Sequence, residues 1–186
     1  MRRVPDEGPD EFAQAVLRLR AARLRPEVAL EEVPAPTRIA PYATAFGAQV
    51  VAHDDELASG RFVLLYDPGG QDAWEGCYRA VTFVRARLEP ELGTDPMLSR
   101  IGWSWLEESL DGLQYVAVAG TVTRVVSESF GALSDRPMTV EVEVRASWTP
   151  LGEVEEHLAG WGRLLCTVAG LPPLPDGVAP LTRRAR

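Results

Sequence analysis

The chain has 186 residues, of which 46% are hydrophobic and 25% charged, the balance of an ordinary water-soluble domain. This length suits a single domain whose core needs neither disulfides nor metals. We expect a cytoplasmic protein, because no apolar run could cross a bilayer and the N-terminus lacks the apolar stretch of a signal peptide. The net charge of −8 argues against broad nucleic-acid binding.

The chain contains 19 arginines and no lysine. Asparagine is also absent, and isoleucine occurs only at Ile39 and Ile101. These rare residues are the ones that AT-rich codons supply, so the bias indicates a GC-rich genome. The arginine content is therefore no evidence for phosphate binding. The two cysteines, Cys77 and Cys166, lie in apolar patterns and are expected to be free.

The first third of the chain predicts one helix and three strands. An amphipathic helix starts at Pro9, with acidic residues in its first turn and arginines toward its end, as the helix dipole favours. Runs of β-branched and aromatic residues predict the strands Val28–Val33, Ala45–His53 and Arg61–Tyr66. The polar stretch Asp54–Gly60 is expected to be the loop of a hairpin between the last two strands.

Two helices are then predicted before a second hairpin. Asp72–Glu75 forms a capping-box pattern, and helical spacing continues, so we expect a helix over residues 72–88 with the apolar side Trp74, Tyr78, Val81, Val84 and Leu88. Thr94–Pro96 can cap an extra helix that carries Ile101, Trp105, Leu106 and Leu110.

The clearest pattern is an alternation of apolar and polar residues in two runs. Tyr115–Phe130 and Met138–Trp148 predict an antiparallel hairpin joined by the turn-rich segment Gly131–Pro137. The buried face of the second strand is predicted to be Met138, Val140, Val142, Val144, Ala146 and Trp148. In the first strand, one face is predicted to contain Val116, Val118, Val122, Val126 and Phe130. The rest of the fold must cover this hairpin.

A last helix follows, and the order of elements defines the fold class. Thr149–Pro150 is expected to cap this helix, Gly170 to end it, and its apolar side to be Val154, Leu158, Trp161, Leu165 and Val168. The order αβββα(α)ββα predicts an α+β two-layer sandwich, with an antiparallel sheet of about five strands and helices mainly on one face. Residues 1–173 form the single domain, and residues 174–186 form a tail rich in Pro and Arg.

Four short segments stand out: Gly102-Trp-Ser-Trp-Leu, Gly120-Thr-Val-Thr, Ser127-Glu-Ser-Phe-Gly and Arg145-Ala-Ser-Trp-Thr-Pro-Leu. They resemble an actinobacterial family catalogued as domain of unknown function 3000, over nearly the whole chain. The resemblance implies no established activity and no catalytic residues. Members tend to be encoded beside a ribonuclease D-like exonuclease, which the resemblance suggests as a partner by association. The element order also resembles the fold of type III secretion chaperones and YbjN-like proteins.

No catalytic set is evident in the sequence. Gly102–Leu106 lacks the second glycine of a nucleophile elbow, and Asp67–Asp72 lacks the lysine and glycine spacing of a phosphate loop. Glu153 and His157 lie one helical turn apart and could share a metal, but a third ligand would have to come from elsewhere. We therefore expect no catalytic residues, metal or cofactor, and an enzyme is the less favoured class.

Two sets of residues are candidates for contact with a ligand or partner. The first is Trp103, Trp105, Trp148 and Trp161 together with Arg124; the tryptophans are either core or the lining of a pocket. The second is a basic face toward the end of the first helix, formed by Arg18, Arg20, Arg23 and Arg25. Intramolecular ion pairs are the alternative interpretation of that face.

Several functions remain open. The favoured hypothesis is a non-catalytic binding or chaperone-like module that holds a protein partner on an exposed sheet face or helix groove. One alternative is a small-molecule-binding protein or enzyme with a pocket between sheet and helices. Another is an accessory factor to an RNA-processing exonuclease.

The hairpin also predicts a homodimer, because long strand edges pair with other chains unless they are covered. The expected contact is the small surface around Ala117, Ala119, Gly120 and Thr121, with Arg124 and Glu128 near its rim. In the alternative, a monomer, the extra helix from Pro96 to Leu110 covers that surface.

Overall fold

The computed structural model describes residues 8–52, 55–171 and 173. The helices in this part of the chain are α1 (Gly8–Ala21), α2 (Leu98–Ser109) and α3 (Val154–Val168). The strands are β1 (Val28–Val33), β2 (Tyr42–Ala52), β3 (Asp55–Gln71), β4 (Gly76–Leu88), β5 (Gln114–Ser127) and β6 (Thr139–Leu151). The predicted tail, residues 174–186, lies outside the described residues.

The six strands form one antiparallel sheet in the order β1-β2-β3-β4-β6-β5. The helices pack on one face of it: α3 lies over the centre, α1 contacts β2 and β3, and α2 contacts β5 and β6. The predicted α+β two-layer sandwich is confirmed, with six strands instead of about five. None of the described helices has the length and apolar character needed to span a bilayer.

The additional strand is β4, where we predicted a helix over residues 72–88, and that prediction is wrong. The residues that face the helices recur at every second position, and the buried ones are Ala80, Thr82, Val84 and Ala86. Only Asp72–Trp74 is helical, as a single 3-10 turn that connects β3 to β4. Hydrogen bonding to β3 on one side and β6 on the other therefore overrides the helical pattern.

Two predicted boundaries are also wrong. Of the predicted loop Asp54–Gly60, residues 55–60 belong to β3, which begins at Asp55, and Asp54 lies outside the described residues. Gly60 lies in the middle of β3, at a position that has no room for a side chain. A Cβ added there would lie 2.9 Å from the Trp161 ring. Thr149–Pro150 does not cap α3, because both residues belong to β6 and Glu153 precedes the helix in an extended conformation.

The end of α3 at Gly170 is confirmed. Gly170 has a φ of 76°, the left-handed conformation that glycine adopts without strain. Its N–H donates to the carbonyl of Thr167 at 3.0 Å, and the N–H of Leu171 donates to the carbonyl of Cys166 at 2.9 Å. These two bonds satisfy carbonyls that the helix end leaves free.

The β5–β6 hairpin is confirmed, and the predicted apolar face of β6 forms part of the core. Its residues from Val140 to Trp148 at every second position are at most 4% exposed. In β5, a bulge lies between Val116 and Ala119, and Ala117 takes a left-handed φ of 52°. Because the bulge exchanges the two faces, Val116 lies on the face opposite Val122. The prediction that these two valines share a face is wrong.

A buried hydrogen bond joins β6 to α3. The indole N–H of Trp148 donates to Nδ1 of His157 at 3.1 Å, and Nε2 of His157 lies 3.3 Å from the carbonyl of Leu151. A neutral ring with its proton on Nε2 satisfies both contacts. Both side chains are buried. Burial lowers the pKa of His157 from its ordinary value, because a charged ring would lose its hydration.

Substitutions in β6 test which of its faces is buried. Val142→Asp should cost about 3 kcal/mol or more of unfolding free energy, because it places a charge in the core without a partner. Glu143→Ala, on the opposite face, should cost less than about 1 kcal/mol, because it removes only an ion pair near the surface. Thermal and urea denaturation measure both. Greater damage from Glu143→Ala would contradict the register.

The buried histidine predicts a pH dependence of stability. His157 in the unfolded chain gains its proton near the ordinary value of 6.5, whereas the lowered pKa keeps it neutral in the folded state at lower pH. The unfolded state then binds more protons, so the free energy of unfolding falls as the pH falls below 6.5. His157→Gln offers a similar acceptor and donor but cannot titrate. Urea unfolding at pH 7.5 and pH 5 should show a smaller loss of stability in this variant. Equal losses would contradict a neutral buried histidine.

Candidate functional site

The outer face of the sheet, opposite the helices, contains an open groove across β3, β4, β6 and β5. Its volume is about 560 Å³. The side chains that point into it are Arg61 and Val63 of β3, Val81 and Phe83 of β4, Arg145 and Ser147 of β6, and Ala119 and Thr121 of β5. Apart from the two arginines, its surface is mainly apolar.

The strand register places these residues in two rows that run across the strands. One row contains Arg61, Phe83, Arg145 and Thr121 as direct cross-strand neighbours. The other contains Val63, Val81, Ser147 and Ala119. Cross-strand neighbours share a face, so both rows point away from the helices. The second row consists of small and medium side chains, which leaves space between the larger groups.

Two segments, residues 34–41 and the 3-10 turn Asp72–Trp74, cover part of the outer face next to the groove. The segment after β1, residues 34–41, packs against a small apolar cluster of β2 and β3 that contains Val63 and Leu65. The guanidinium of Arg61 donates to the carbonyl of Pro34 in this segment. Beside the groove, the hydroxyl of Thr149 donates to the carbonyl of Trp74. Beside these segments, the groove across β3, β4, β6 and β5 is open.

Two arginines line the groove although the whole chain carries a net charge of −8. They are Arg61 and Arg145, and no aspartate or glutamate of the described residues lines it. Arg145 lies 5.0 Å from the centroid of the Phe83 ring and pairs with Glu143 at 2.6 Å. Arg61 forms no ion pair with any residue in the described ranges. Its charge is available to an anionic group.

A third arginine, Arg79, lies buried next to the groove. It donates to the carbonyl of Ala117 at 2.8 Å and to the hydroxyl of Ser147 at 2.7 Å. Burial lowers the pKa of Arg79, and the charge of Glu75 partly opposes this effect. The contact with Ala117 holds the bulge of β5, and the contact with Ser147 orients a hydroxyl that lines the groove.

The groove lacks the groups that most bond-making reactions need. The hydroxyls that point into it belong to Thr121 and Ser147, and among the described residues its lining contains no carboxylate, histidine or cysteine that could act as a base. Within residues 8–52 and 55–171, no group of three His, Cys, Asp or Glu residues could hold a metal ion.

The four tryptophans predicted as a ligand or partner surface do not line this groove. Trp148 and Trp161 are fully buried between the sheet and α3, where a ligand reaches neither ring. Trp103 and Trp105 are half-buried on α2. The Trp103 ring lies over Gly120 of β5, so close that a Cβ on this glycine would be 2.9 Å from it.

Arg124, the remaining residue of that predicted surface, lies on the exposed β5 edge of the sheet. Its guanidinium donates to the carbonyl of Asp95 at 2.8 Å. Register places Arg124 opposite Val142, so it is on the helix-facing side and does not belong to the groove.

The predicted basic face contains mostly ion-paired arginines. The pairs are Arg18 with Glu153 at 3.2 Å, Arg20 with Glu32 at 2.9 Å, and Arg25 with Glu27 at 2.8 Å. Arg23 is exposed and pairs with no acid in the described part of the chain. Three of the four charges are thus engaged within the chain, as the alternative interpretation expected.

The residues considered as metal ligands are engaged in other contacts. Glu153 pairs with Arg18, and both ring nitrogens of His157 have partners within the core. His157 therefore has a structural role that connects β6 to α3.

The sequence pattern did not predict the groove, because residues 72–88 also fit the spacing of a helix. Val81 and Phe83 become neighbours of Ser147 and Arg145 only when this segment is a strand. The sequence does contain a period of two in this segment. Ala80, Thr82 and Val84, which are small or medium in size, alternate with the outward-facing residues between them.

Comparison with known proteins gives a family and no activity. No curated protein and no solved structure matches the chain. Residues 8–179 match the family model described as Protein of unknown function (DUF3000), which covers nearly the whole sequence. The chain therefore belongs to this family, as its Trp-rich and Thr-rich segments predicted.

Proposed function

We propose that this protein is a non-catalytic binding module whose outer-face groove holds an extended acidic segment of a protein partner. One observation carries the proposal: the groove combines an apolar floor with Arg61, which pairs with no acid among the described residues, and none of the described acidic side chains lines it. Charge complementarity then selects an anionic occupant.

The openness of the groove favours a peptide over a small molecule. Pockets for small ligands enclose roughly 70–90% of the ligand surface. This groove is open to solvent along its length. From β3 to β5 it crosses three strand spacings, about 14 Å, which matches about four residues of extended chain. Such a shape fits a segment that stays attached to a larger protein.

The chemistry of the lining defines the segment. Val81 is 38% exposed in the middle of the floor and offers an apolar contact. Arg61 and Arg145 stand in the adjacent row and offer donors to carboxylates. An occupant that alternates acidic and apolar side chains would satisfy both rows at once.

A displayed library of random peptides tests this proposal. Peptides selected on the wild-type protein should be rich in Asp, Glu and large apolar residues. Arg61→Glu should weaken their binding at least about tenfold, because it reverses the charge that is free to pair. Arg23→Glu is the matched control, since Arg23 is exposed, lies outside the groove and pairs with no acid in residues 8–52 and 55–171. Titration by fluorescence anisotropy measures each affinity.

Two results would contradict the proposal. The first is that no peptide is enriched, or that enriched peptides bind Arg61→Glu and Val81→Glu as well as the wild type. The second is that the protein selects no peptides but binds one equivalent of the small apolar anion 8-anilinonaphthalene-1-sulfonate, and that Val81→Glu abolishes this binding. That result would support the small-molecule alternative.

A further inference from the structure

The two edges of the sheet differ in how well they resist pairing with another chain. The edge strand β1 has six residues, contains Glu31 and Glu32, and is followed by Pro34. Short length, charge and proline all discourage strand addition. The edge strand β5 has 14 residues, no proline and one charged residue, Arg124. In the described part of the chain it pairs with β6 on one side only, and no strand covers its other edge.

Exposed apolar side chains are concentrated around this open edge. Eleven large hydrophobic residues in the described part of the chain are exposed, and six of them lie in β5 or in the neighbouring segments. These six are Met97, Ile101, Val118, Val126, Phe130 and Leu133. Phe130 is the most exposed, at 76%. Such a concentration is typical of an interaction surface.

A second copy of β5 is complementary to the first when the two strands run antiparallel with Val126 opposite Val126. Arg124 and Glu128 lie at equal distances on either side of Val126, so each Arg124 then faces Glu128 of the second copy. Directly opposite residues share a face and approach closely, so opposite charges there stabilise the pair. The two-fold symmetry produces this contact twice.

The same register brings Phe130 to an apolar pocket. β5 ends at Ser127, residues 128–130 are neither helix nor turn, and Phe130 has an extended backbone, with φ −130° and ψ 165°, so the strand direction can continue to Phe130 in the dimer. Phe130 then lies opposite Val122 of the second copy. Val122 lines a shallow pocket of about 340 Å³ together with Trp103 and Arg100. An exposed ring and a pocket for it thus occur on one chain at matching positions.

We infer that the protein forms a two-fold homodimer through β5, with Val126 at the axis and Phe130 in the pocket beside Val122 of the second copy. This dimer goes beyond the proposed function and does not depend on it. The groove opens on the outer face, whereas Val122 and its pocket lie on the helix-facing side. The joined sheets would carry both grooves on one continuous face.

Mass measurement with charge reversal tests the dimer. Light scattering at about 20 µM should give twice the chain mass of 20.3 kDa. Arg124→Glu, Glu128→Arg and Phe130→Ala should each raise the dissociation constant at least about tenfold. The double variant Arg124→Glu/Glu128→Arg should restore it to within about threefold of wild type, because the opposite charges meet again. Leu17→Ala, at another exposed hydrophobic residue, is the control and should have no effect.

A crosslink tests the register. Val126→Cys should form an intermolecular disulfide under mild oxidation, because opposite residues of an antiparallel pair lie about 4.5–5.5 Å apart. Val118→Cys, far from the axis, should not. Circular dichroism checks that each variant folds. A monomer at all concentrations would overturn the inference. So would a dimer that withstands all three single substitutions, or one that is crosslinked at Val118 and not at Val126.

Discussion

The packing of β6 against α3 is the contact on which the rest of the structure depends. The helix-facing residues of β6 are buried from Val140 to Trp148, and α3 covers the sheet with Leu158, Trp161 and Leu165. The hydrogen bond from Trp148 to His157 links the two elements at one end. Because β6 pairs with β4 on one side and β5 on the other, its position sets the register of both.

The outer face is accessible because the helices cover only one side of the sheet. Most of the core lies beneath α3, and the outer face has only a small apolar cluster around Ala45, Val63 and Leu65. This face is covered beside the groove but open across β3, β4, β6 and β5. Arg79 is a buried arginine beside this opening, and burial disfavours its charge. Its hydrogen bonds to Ala117 and Ser147 compensate for the lost hydration.

The extra helix α2 covers only part of β5. Gly102 packs so close to Val122 that a Cβ would lie 2.9 Å away, and Trp103 lies over Gly120. Beyond this contact the strand continues through Val126 to its end at Ser127, and Phe130 follows three residues later; the side chains of Val126 and Phe130 are exposed. One strand thus has a stretch that belongs to the core of the domain and a stretch whose apolar residues face solvent.

The sequence by itself determined β6, α2, α3 and the layered architecture, because the apolar residues of each element repeat with only one of the two periods. Strand β4 is different: Tyr78, Val81, Val84 and Leu88 fit helical spacing, while Ala80, Thr82 and Ala86 fit alternation. Only hydrogen bonding to β3 and β6 decides between the two structures. The groove forms only when β4 is a strand, since its residues come from four strands that are adjacent only in the folded sheet. Local periodicity determines which side of an element is buried, but the partners of a strand are chosen by contacts between distant parts of the chain.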